Sequence, residues 1–485
     1  MTHNARRRTQ LIVVLISVFL VPYLAFSKPP AKSTPASKPS TQTGKEKQPS
    51  QPPPISAPAN TFHHVAGSIH LQTPVSGGKR TFNDYLQLAR QNEIGILVVT
   101  DHDTQKYQYG LWPLRGLISK TVDEPSVFKY GVENYFKLIQ QANSLANDII
   151  LIDGVESMPF YYWSGSYFRG TLALNDRGKH MLVIGMNDVN AYKDLPLIGN
   201  DKSRFNQYDG PQGYAPYQDL INYVNSKGGL TFWAHPEAKE SKSIKKIIVN
   251  TLAYPECVKA TTNYTGFGIF WEGYQKIGLP NGAWDEVLRE YCDGRRAKPA
   301  WAIGETDDYG DKDIARLVTV FMLKEKSYKS AIEALKTGQT YTVLKSAELP
   351  PLMLDDFCVY NTAQPNISYS GDELVTSSTP TIRIKISFKN GSDISGKSTK
   401  ITKPQRSPDY FGKATLKVIR QGKVIKEVNQ ALPITLSFKD DYKPARTDDR
   451  SGGPTKPGER IYYRLEVIDE KNGRLISNPI FVKFQ

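Results

Sequence analysis

Seven histidines are spread over 485 residues, and four of them fall where side chains can meet. His70 and His235 close apolar runs that read as strands, His102 stands just past another, and His180 opens a fourth. Carboxylates keep them company. Asp101 precedes His102, Glu156 follows the run 149–152, and Asp307 follows the run 299–304. In a parallel α/β barrel, side chains at the carboxyl ends of the strands converge on one mouth. Imidazoles and carboxylates gathered there form a mixed N/O donor set that suits zinc, manganese or iron. A lone histidine is ordinarily a hydrogen-bonded core residue. Four in one register, each beside a turn, point to a metal centre.

The elements that must carry these residues are legible from hydrophobic period. Residues 95–100 (GILVVT), 149–152 (IILI), 180–186 (HMLVIGM), 229–234 (GLTFWA) and 299–304 (PAWAIG) read as strands. Residues 81–92, 132–146, 217–226 and 283–291 place apolar residues at helical spacing between them. Alternation of this kind predicts parallel strands with crossover helices, in a barrel or an open sheet. After Pro350-Pro351 the pattern changes to alternating strands at 381–388, 414–419, 424–428 and 460–468, with no helices between. Arg420 to Lys423 reads as a turn, and Asn472-Gly473 as a type I′ hairpin, because both residues tolerate positive φ. Residues 351–485 are therefore expected to form an all-β sandwich.

The termini and the charge narrow the setting. Arg6, Arg7 and Arg8 precede an apolar run from Leu11 to Phe26, too short for an ordinary span. Residues 1–27 read as a signal peptide, with an uncleaved N-terminal anchor as the competing reading. Residues 28–61 are Pro, Ser and Lys-rich, with almost nothing to bury, and read as a disordered tether. The mature protein is thus expected to be secreted, periplasmic or at the cell surface, or else anchored through its N-terminus. The formal charge of +14 divides unevenly. Residues 1–61 hold eight Lys/Arg against one Glu, residues 351–485 hold 22 against 15 acidic groups, and residues 62–350 balance at 32 each. No nucleic-acid partner is expected over the active site, whereas the basic linker and β-domain suit contact with an anionic surface or wall. Cys257, Cys292 and Cys358 show neither metal-type spacing nor a disulfide framework, and leave a single disulfide open.

Certain local words are more specific than these counts. Val98-Val99-Thr100-Asp101-His102-Asp103, Asp153-Gly154-Val155-Glu156 and Ala234-His235-Pro236 occur in that order. Gly67-Ser68-Ile69-His70 stands before them, His180-Met181-Leu182-Val183 between the last two, and Gly304-Glu305-Thr306-Asp307-Asp308 after them. Over roughly residues 62–345, within an expected domain of 62–350, this series resembles the polymerase-and-histidinol-phosphatase (PHP) domain family. The resemblance implies a distorted (β/α)7-type barrel holding metal ions that activate water against a phosphate ester. It further implies that Glu156 bridges two ions, that His70 and Asp307 bind one of them, and that His180 and His235 bind the second. His102 would complete the second or hold a third, and Asp101 would orient a ligand as part of the catalytic set.

Departures from the pattern thin the set. Gln72 stands where the family has a second histidine, and Tyr309 where it has a closing one. Ser76-Gly77-Gly78 replaces an acidic word. Two ions rather than three are expected. Asp308 is an alternative to Asp307 in the closing register. Gln72, Tyr309 and Arg169 are candidates to contact substrate. Aromatic clusters at 107–112, 161–168 and 264–271 would either wall a pocket or form small cores for the insertions that carry them. The leading expectation is a metal-dependent hydrolase of small-molecule phosphoesters or other esters. The alternatives are a non-catalytic surface protein with a degenerate site and a carbohydrate- or wall-binding protein.

Overall fold

The computed structural model describes residues 62–186, 188–362, 366–389, 412–442 and 458–485. The expected signal segment and tether lie outside the described residues.

The fold is mixed α/β with much sheet. Seven strands carry the site: β1 (His63–Leu71), β2 (Ile96–His102), β3 (Ile150–Ser157), β4 (Met181–Ile184), β5 (Leu230–Trp233), β6 (Gly266–Phe270) and β7 (Trp301–Gly304). They are hydrogen-bonded in the order β7-β6-β5-β4-β3-β2-β1. Every residue of β2 is buried, which explains its unbroken apolar run. Helix α1 (Phe82–Gln91) starts at Thr81, whose hydroxyl accepts from Asp84 N–H while Asp84 caps the Thr81 N–H in return. Its buried face, Tyr85, Leu86 and Ala89, follows the 3.6-residue period. Helices α2 (Val132–Ser144), α3 (Ala215–Ser226) and α4 (Ala283–Cys292) complete the set between strands.

One strand corrects the parallel expectation. β4 runs antiparallel to both β3 and β5. A parallel neighbour needs a crossover, usually a helix, and no helix separates β3 from β4. His180, at the start of β4, therefore lies at the same rim as the carboxyl ends of β1, β2, β3 and β5. Past β7 the chain runs alongside the end of β1. Thr306 N–H donates to Ile69 O at 2.8 Å, Asp308 N–H to His70 O at 3.0 Å, and Gln72 N–H to Asp308 O at 2.9 Å. First and last strands thus meet at the rim that bears the histidines.

The long sheet continues from β1 into antiparallel β8 (Leu317–Leu323) and β9 (Thr340–Leu344), with helix α5 (Tyr328–Thr337) between them. The C-terminal region adds β10 (Leu352–Tyr360), β11 (Glu373–Thr376), β12 (Thr381–Phe388), β13 (Lys413–Arg420), β14 (Lys423–Ala431), β15 (Ile434–Lys439), β16 (Arg460–Asp469), β17 (Arg474–Ser477) and β18 (Ile480–Phe484). β10, β12 and β15 form one antiparallel layer. Their Leu354, Phe357 and Ile384 share a core with Leu416, Val418 and Leu465 from β13 and β16. β17 pairs with β9, Ser477 opposite Tyr341, so hydrogen bonding runs unbroken across residue 350.

The turns differ from expectation in one place. Gln421 and Gly422 both have positive φ, the two-residue type I′ geometry, between paired Arg420 and Lys423. At Asn472-Gly473 only Asn472 does. There Asp469 organises a longer loop by accepting from the Lys471 and Gly473 N–H groups, both at 2.8 Å. Cys257, Cys292 and Cys358 are buried free thiols.

Candidate metal centre

Glu156 ends β3 and is 1% exposed. The β2–β3 register sets it directly beside His102. His70 arrives by a different device. The β1–β2 register skips between Ile69 and Leu71, and His70 sits at the skip with φ 72°. Such a bulge re-aims a side chain out of the ladder. His235 and Asp307 also hold positive φ, and strain of this kind clusters at functional sites.

Four imidazoles and one amide converge on this single carboxylate. Glu156 Oε1 lies 2.5 Å from His180 Nδ1 and 3.3 Å from His235 Nε2. Its Oε2 lies 3.0 Å from His70 Nε2, 3.2 Å from His102 Nδ1 and 2.5 Å from Gln72 Nε2. Asp307 Oδ1 is 3.7 Å from His70 Nε2. The donors fall into two groups that share Glu156: His102, Glu156 and His180, and His70, Glu156 and Asp307. His235 Nε2 stands 3.4 Å from His180 Nδ1, beside the first group.

Outward contacts fix three of the rings. His70 Nδ1 faces Glu305 Oε2 at 3.2 Å. His180 Nε2 donates to Arg177 O at 2.8 Å. Tyr254 Oη donates to Ala234 O at 2.6 Å and stands 3.2 Å from His235 Nδ1, from which it accepts. Each outer nitrogen carries a proton outward, so each inner nitrogen is the one turned towards Glu156, where a cation would take the place of any proton it holds. His102 faces Glu156 through Nδ1, a buried atom with no hydrogen-bond partner. Its Nε2 is 2.8 Å from Tyr309 Oη. With the inward nitrogen unpartnered, Nε2–H is the donor to Tyr309, and the phenol proton is left for the cavity. This unpartnered nitrogen, the shared carboxylate and the outward-anchored rings together fit a divalent cation bound by N and O donors.

The electrostatics of the metal-free cage agree. Burial alone would raise Glu156, but His102, His180 and His70 hold it well below the usual carboxylate range. Burial alone would lower His235, but its hydrogen bond to Glu156 and the nearby Glu305 and Asp307 hold it at about 9. Burial prevails at His102, pushed down to about 4, and it also holds the Tyr309 phenol well above its ordinary value. His102 and Tyr309 are therefore both neutral near pH 7.

The remaining expected residues sort clearly. Asp307 faces the site, whereas Asp308 is buried and braced by Arg80 Nη1 at 2.6 Å and Tyr85 Oη at 2.9 Å. Asp101 is buried and touches none of the histidines by hydrogen bond among the described residues. It accepts from Thr73 N–H at 2.7 Å, and it shares the single Ser76 hydroxyl proton, 2.6 Å away, with Gln72 Oε1, 2.5 Å from the same Oγ. Its reach to the cage is through Gln72. Gln72 itself is part of the cage and does not line the cavity. Arg169 is exposed on a hairpin tip and is not brought to the site. A cavity of about 200 Å³ opens onto the cage, lined by Glu156, His180, His235, Glu272, Asp307 and Tyr309 among others. A larger apolar cavity of about 570 Å³, against Phe82, Leu138 and Ala142, holds none of the ligand candidates. The aromatics of 107–109 and 161–163 pack with Met158, Phe160 and Leu174 as a small core of their own.

Two residues went unassigned in the sequence. Glu305 anchors His70 and also accepts the His235 N–H. Its room depends on Gly268, where a Cβ would meet Glu305 Oε1 at 2.0 Å. Its place in the closing word, beside Asp307, was the available signal. Tyr254 has no motif around it.

No family model and no curated protein matches the chain. Among solved structures, it is similar to a two-domain Bacteroides vulgatus protein containing a predicted PHP-like metal-dependent phosphoesterase. That likeness has 11% identity and a TM-score of 0.38, over 88% of this chain and 96% of that one. A Bifidobacterium adolescentis protein with a provisional metal-dependent phosphoesterase assignment matches at 13% identity and TM-score 0.27, over 50% and 87% of the two chains. The lesion-specific endonuclease EndoQ of Pyrococcus furiosus matches at 11% and 0.31, over 56% of each. Likenesses this distant leave the functional reading to rest on the cage itself.

Proposed function

We propose that the chain is a metal-dependent hydrolase of the PHP type, acting on phosphoesters at a two-ion site in a (β/α)7-type barrel. The observation that carries this reading is Glu156, one buried carboxylate shared by two donor groups whose rings are anchored from outside. Glu156, His70 and Asp307 would hold one ion, and Glu156, His180, His235 and His102 would hold the other. With zinc, manganese or iron held there, these residues would have Lewis acidity at hand to polarise a phosphoryl oxygen and acidify water. Tyr309 takes the place of a further ligand. Its neutral hydroxyl, oriented by His102 Nε2–H, donates to a substrate oxygen in the cavity. Glu305, Tyr254 and the Arg177 carbonyl keep the rings in the ligand tautomer. Export through residues 1–27 and a β-sandwich region at 351–485 belong to the same proposal.

Elemental analysis of the dialysed full chain tests it, with two ions per chain expected and none after Glu156→Ala. Hydrolysis is then sought on a panel of phosphomonoesters, phosphodiesters, carboxylic esters and DNA. Nucleic acid belongs on the panel because charge balance alone gives no ground to leave it out. Metal-free wild-type protein, or turnover that survives both exhaustive chelation and Glu156→Ala, defeats the reading. Two ions with every ester uncleaved favours a binding protein that kept the cage.

A further inference from the structure

We propose that three hairpin tips beside the metal centre form a docking surface for an anionic lipid membrane. Each hairpin is inserted just after a ligand candidate. Lys106–Gly110 with Ser119–Asp123 follows His102, Tyr162–Ser164 with Ala173–Asn175 follows Glu156, and Glu240–Ile244 with Ile247–Thr251 follows His235. Strand Ile247–Thr251 runs parallel to Ala173–Asn175, Ile248 opposite Ala173 and Asn250 opposite Asn175. The turns leading into these two strands therefore lie at one end. The first hairpin agrees in direction. Tyr107 packs on Tyr161 at 5.4 Å between ring centroids, and Tyr109 on Trp163 at 5.1 Å, so the two strands run side by side the same way. All three tips, residues 111–118, 165–172 and 244–247, share that end.

Their composition is what a membrane interface selects. The first tip exposes Trp112 (74%) and Leu117 (84%), the second Tyr167 and Phe168 (79%), the third Ile244. Single exposed apolar residues are ordinary, but a cluster marks an interaction surface. Arg115, Arg169, Lys245 and Lys246 stand among them, all exposed, and no Asp or Glu occurs in the three tips. None of the four cations forms an ion pair with a described residue. Aromatic rings at headgroup depth, flanked by cations without anions, complement an acidic leaflet. Each such cation strengthens attachment about fivefold. A protein partner would more commonly meet a polar rim of both signs around a flatter apolar centre. Glu240 and Thr251, at the open end of the third hairpin, line the cavity, so docking would hold the mouth near the lipid surface. The surface stands independently of the hydrolase reading and is read without any ester.

The test uses the full chain carrying one nitroxide label at Leu117→Cys, at Phe168→Cys or, as control, at Lys426→Cys on exposed β14. The native cysteines are buried and take no label. Vesicles are phosphatidylcholine with or without phosphatidylserine. The labels at 117 and 168 should lose contact with an aqueous relaxant and gain contact with oxygen only when phosphatidylserine is present, while the label at 426 stays in water. Joint Arg115→Ser, Arg169→Ser, Lys245→Ser and Lys246→Ser exchange should weaken that immersion by nearly three orders of magnitude, about fivefold for each cation. Because immersion is read at the tips, attachment through the N-terminus cannot imitate it. Labels that stay aqueous on phosphatidylserine vesicles overturn the proposal. So do labels already shielded without lipid, which would place the tips against a second copy.

Discussion

Two buried charge clusters in this molecule solve opposite problems. At the seam between α4 and β16, Arg464 and Asp285 are both fully buried, and the carboxylate is closed although Arg464 Nη1 has no hydrogen-bond partner. Asp285 accepts from Arg464 Nε at 2.8 Å and Nη2 at 2.7 Å, from Tyr462 Oη at 2.7 Å and from Asn281 N–H at 2.7 Å. Trp284 lies 4.7 Å from the guanidinium. Every lone pair of the carboxylate has a use, and no cavity adjoins it among those described. At Glu156 five nitrogens crowd two oxygens. His180 Nδ1 and His235 Nε2 are 3.4 Å apart, as are His70 Nε2 and Gln72 Nε2, and His102 Nδ1 has no partner. The structural carboxylate is satisfied from within. A ligand cage is satisfied only when something enters it.

The largest expected effect breaks this contrast outright. Glu156→Ala should remove metal and turnover together while leaving the fold, because the cage loses its common anion and no apolar packing. Asp285→Ala should do the reverse. It strands a buried guanidinium, which costs about 3–5 kcal/mol, so chemical denaturation should show a large loss of stability while the ion count stays at two. A stable Asp285→Ala chain would mean that Asp285 is not the closed carboxylate described.

The outward anchors come next. Glu305→Gln and Tyr254→Phe each leave the ligands in place and disturb the contact that sets a ring's tautomer, together with a backbone contact beside His235. Losses of about 10–100-fold in metal affinity are expected, read by competition with a chromophoric chelator. Gly268→Ala should resemble Glu305→Gln, since the added methyl displaces the Glu305 carboxylate. Unchanged affinity in all three would leave the outward hydrogen bonds without a role.

The two clusters also differ in how far the sequence disclosed them. Period located β2, β3, β4, β5 and β7 and helices α1 to α4 within a few residues, because burial of one face writes itself into spacing, but it passed over β6 and the three hairpins inserted between the site strands. The four histidines and Glu156 were visible for the same reason: rim positions follow directly from strand ends. Strand direction was not visible. Two-residue alternation is the same in either sense, and only the missing helix between residues 157 and 181 hinted that β4 turns back. Tyr254 and the Asp285–Arg464 seam depend on contacts across 20 to 179 positions of sequence. Neither has a local pattern. Continuity of the sheet past residue 350 was hidden likewise, since the Pro350-Pro351 break in composition is real while the pairing of β9 with β17 bridges it from far downstream.

The smallest effect concerns Gln72. Its amide donates to Glu156 Oε2 at 2.5 Å and accepts from Ser76 Oγ at 2.5 Å, a position that in a fuller cage an imidazole would fill. Gln72→His trades a neutral amide for a nitrogen lone pair that can face a cation, and metal affinity should rise about tenfold, the low end of what one well-placed group contributes. The exchange also removes Gln72 Oε1, one of the two acceptors that the single Ser76 hydroxyl proton serves, and leaves it Asp101 alone. One net hydrogen bond is then lost, and the metal-free chain should unfold about 1 kcal/mol more easily. The two changes have opposite signs in the two states, so a thermal scan with and without zinc separates them: destabilised apo-protein, stabilised holo-protein. Destabilisation in both would show that the amide is structural, placing Gln72 with Asp285 and Arg464 rather than with Glu156.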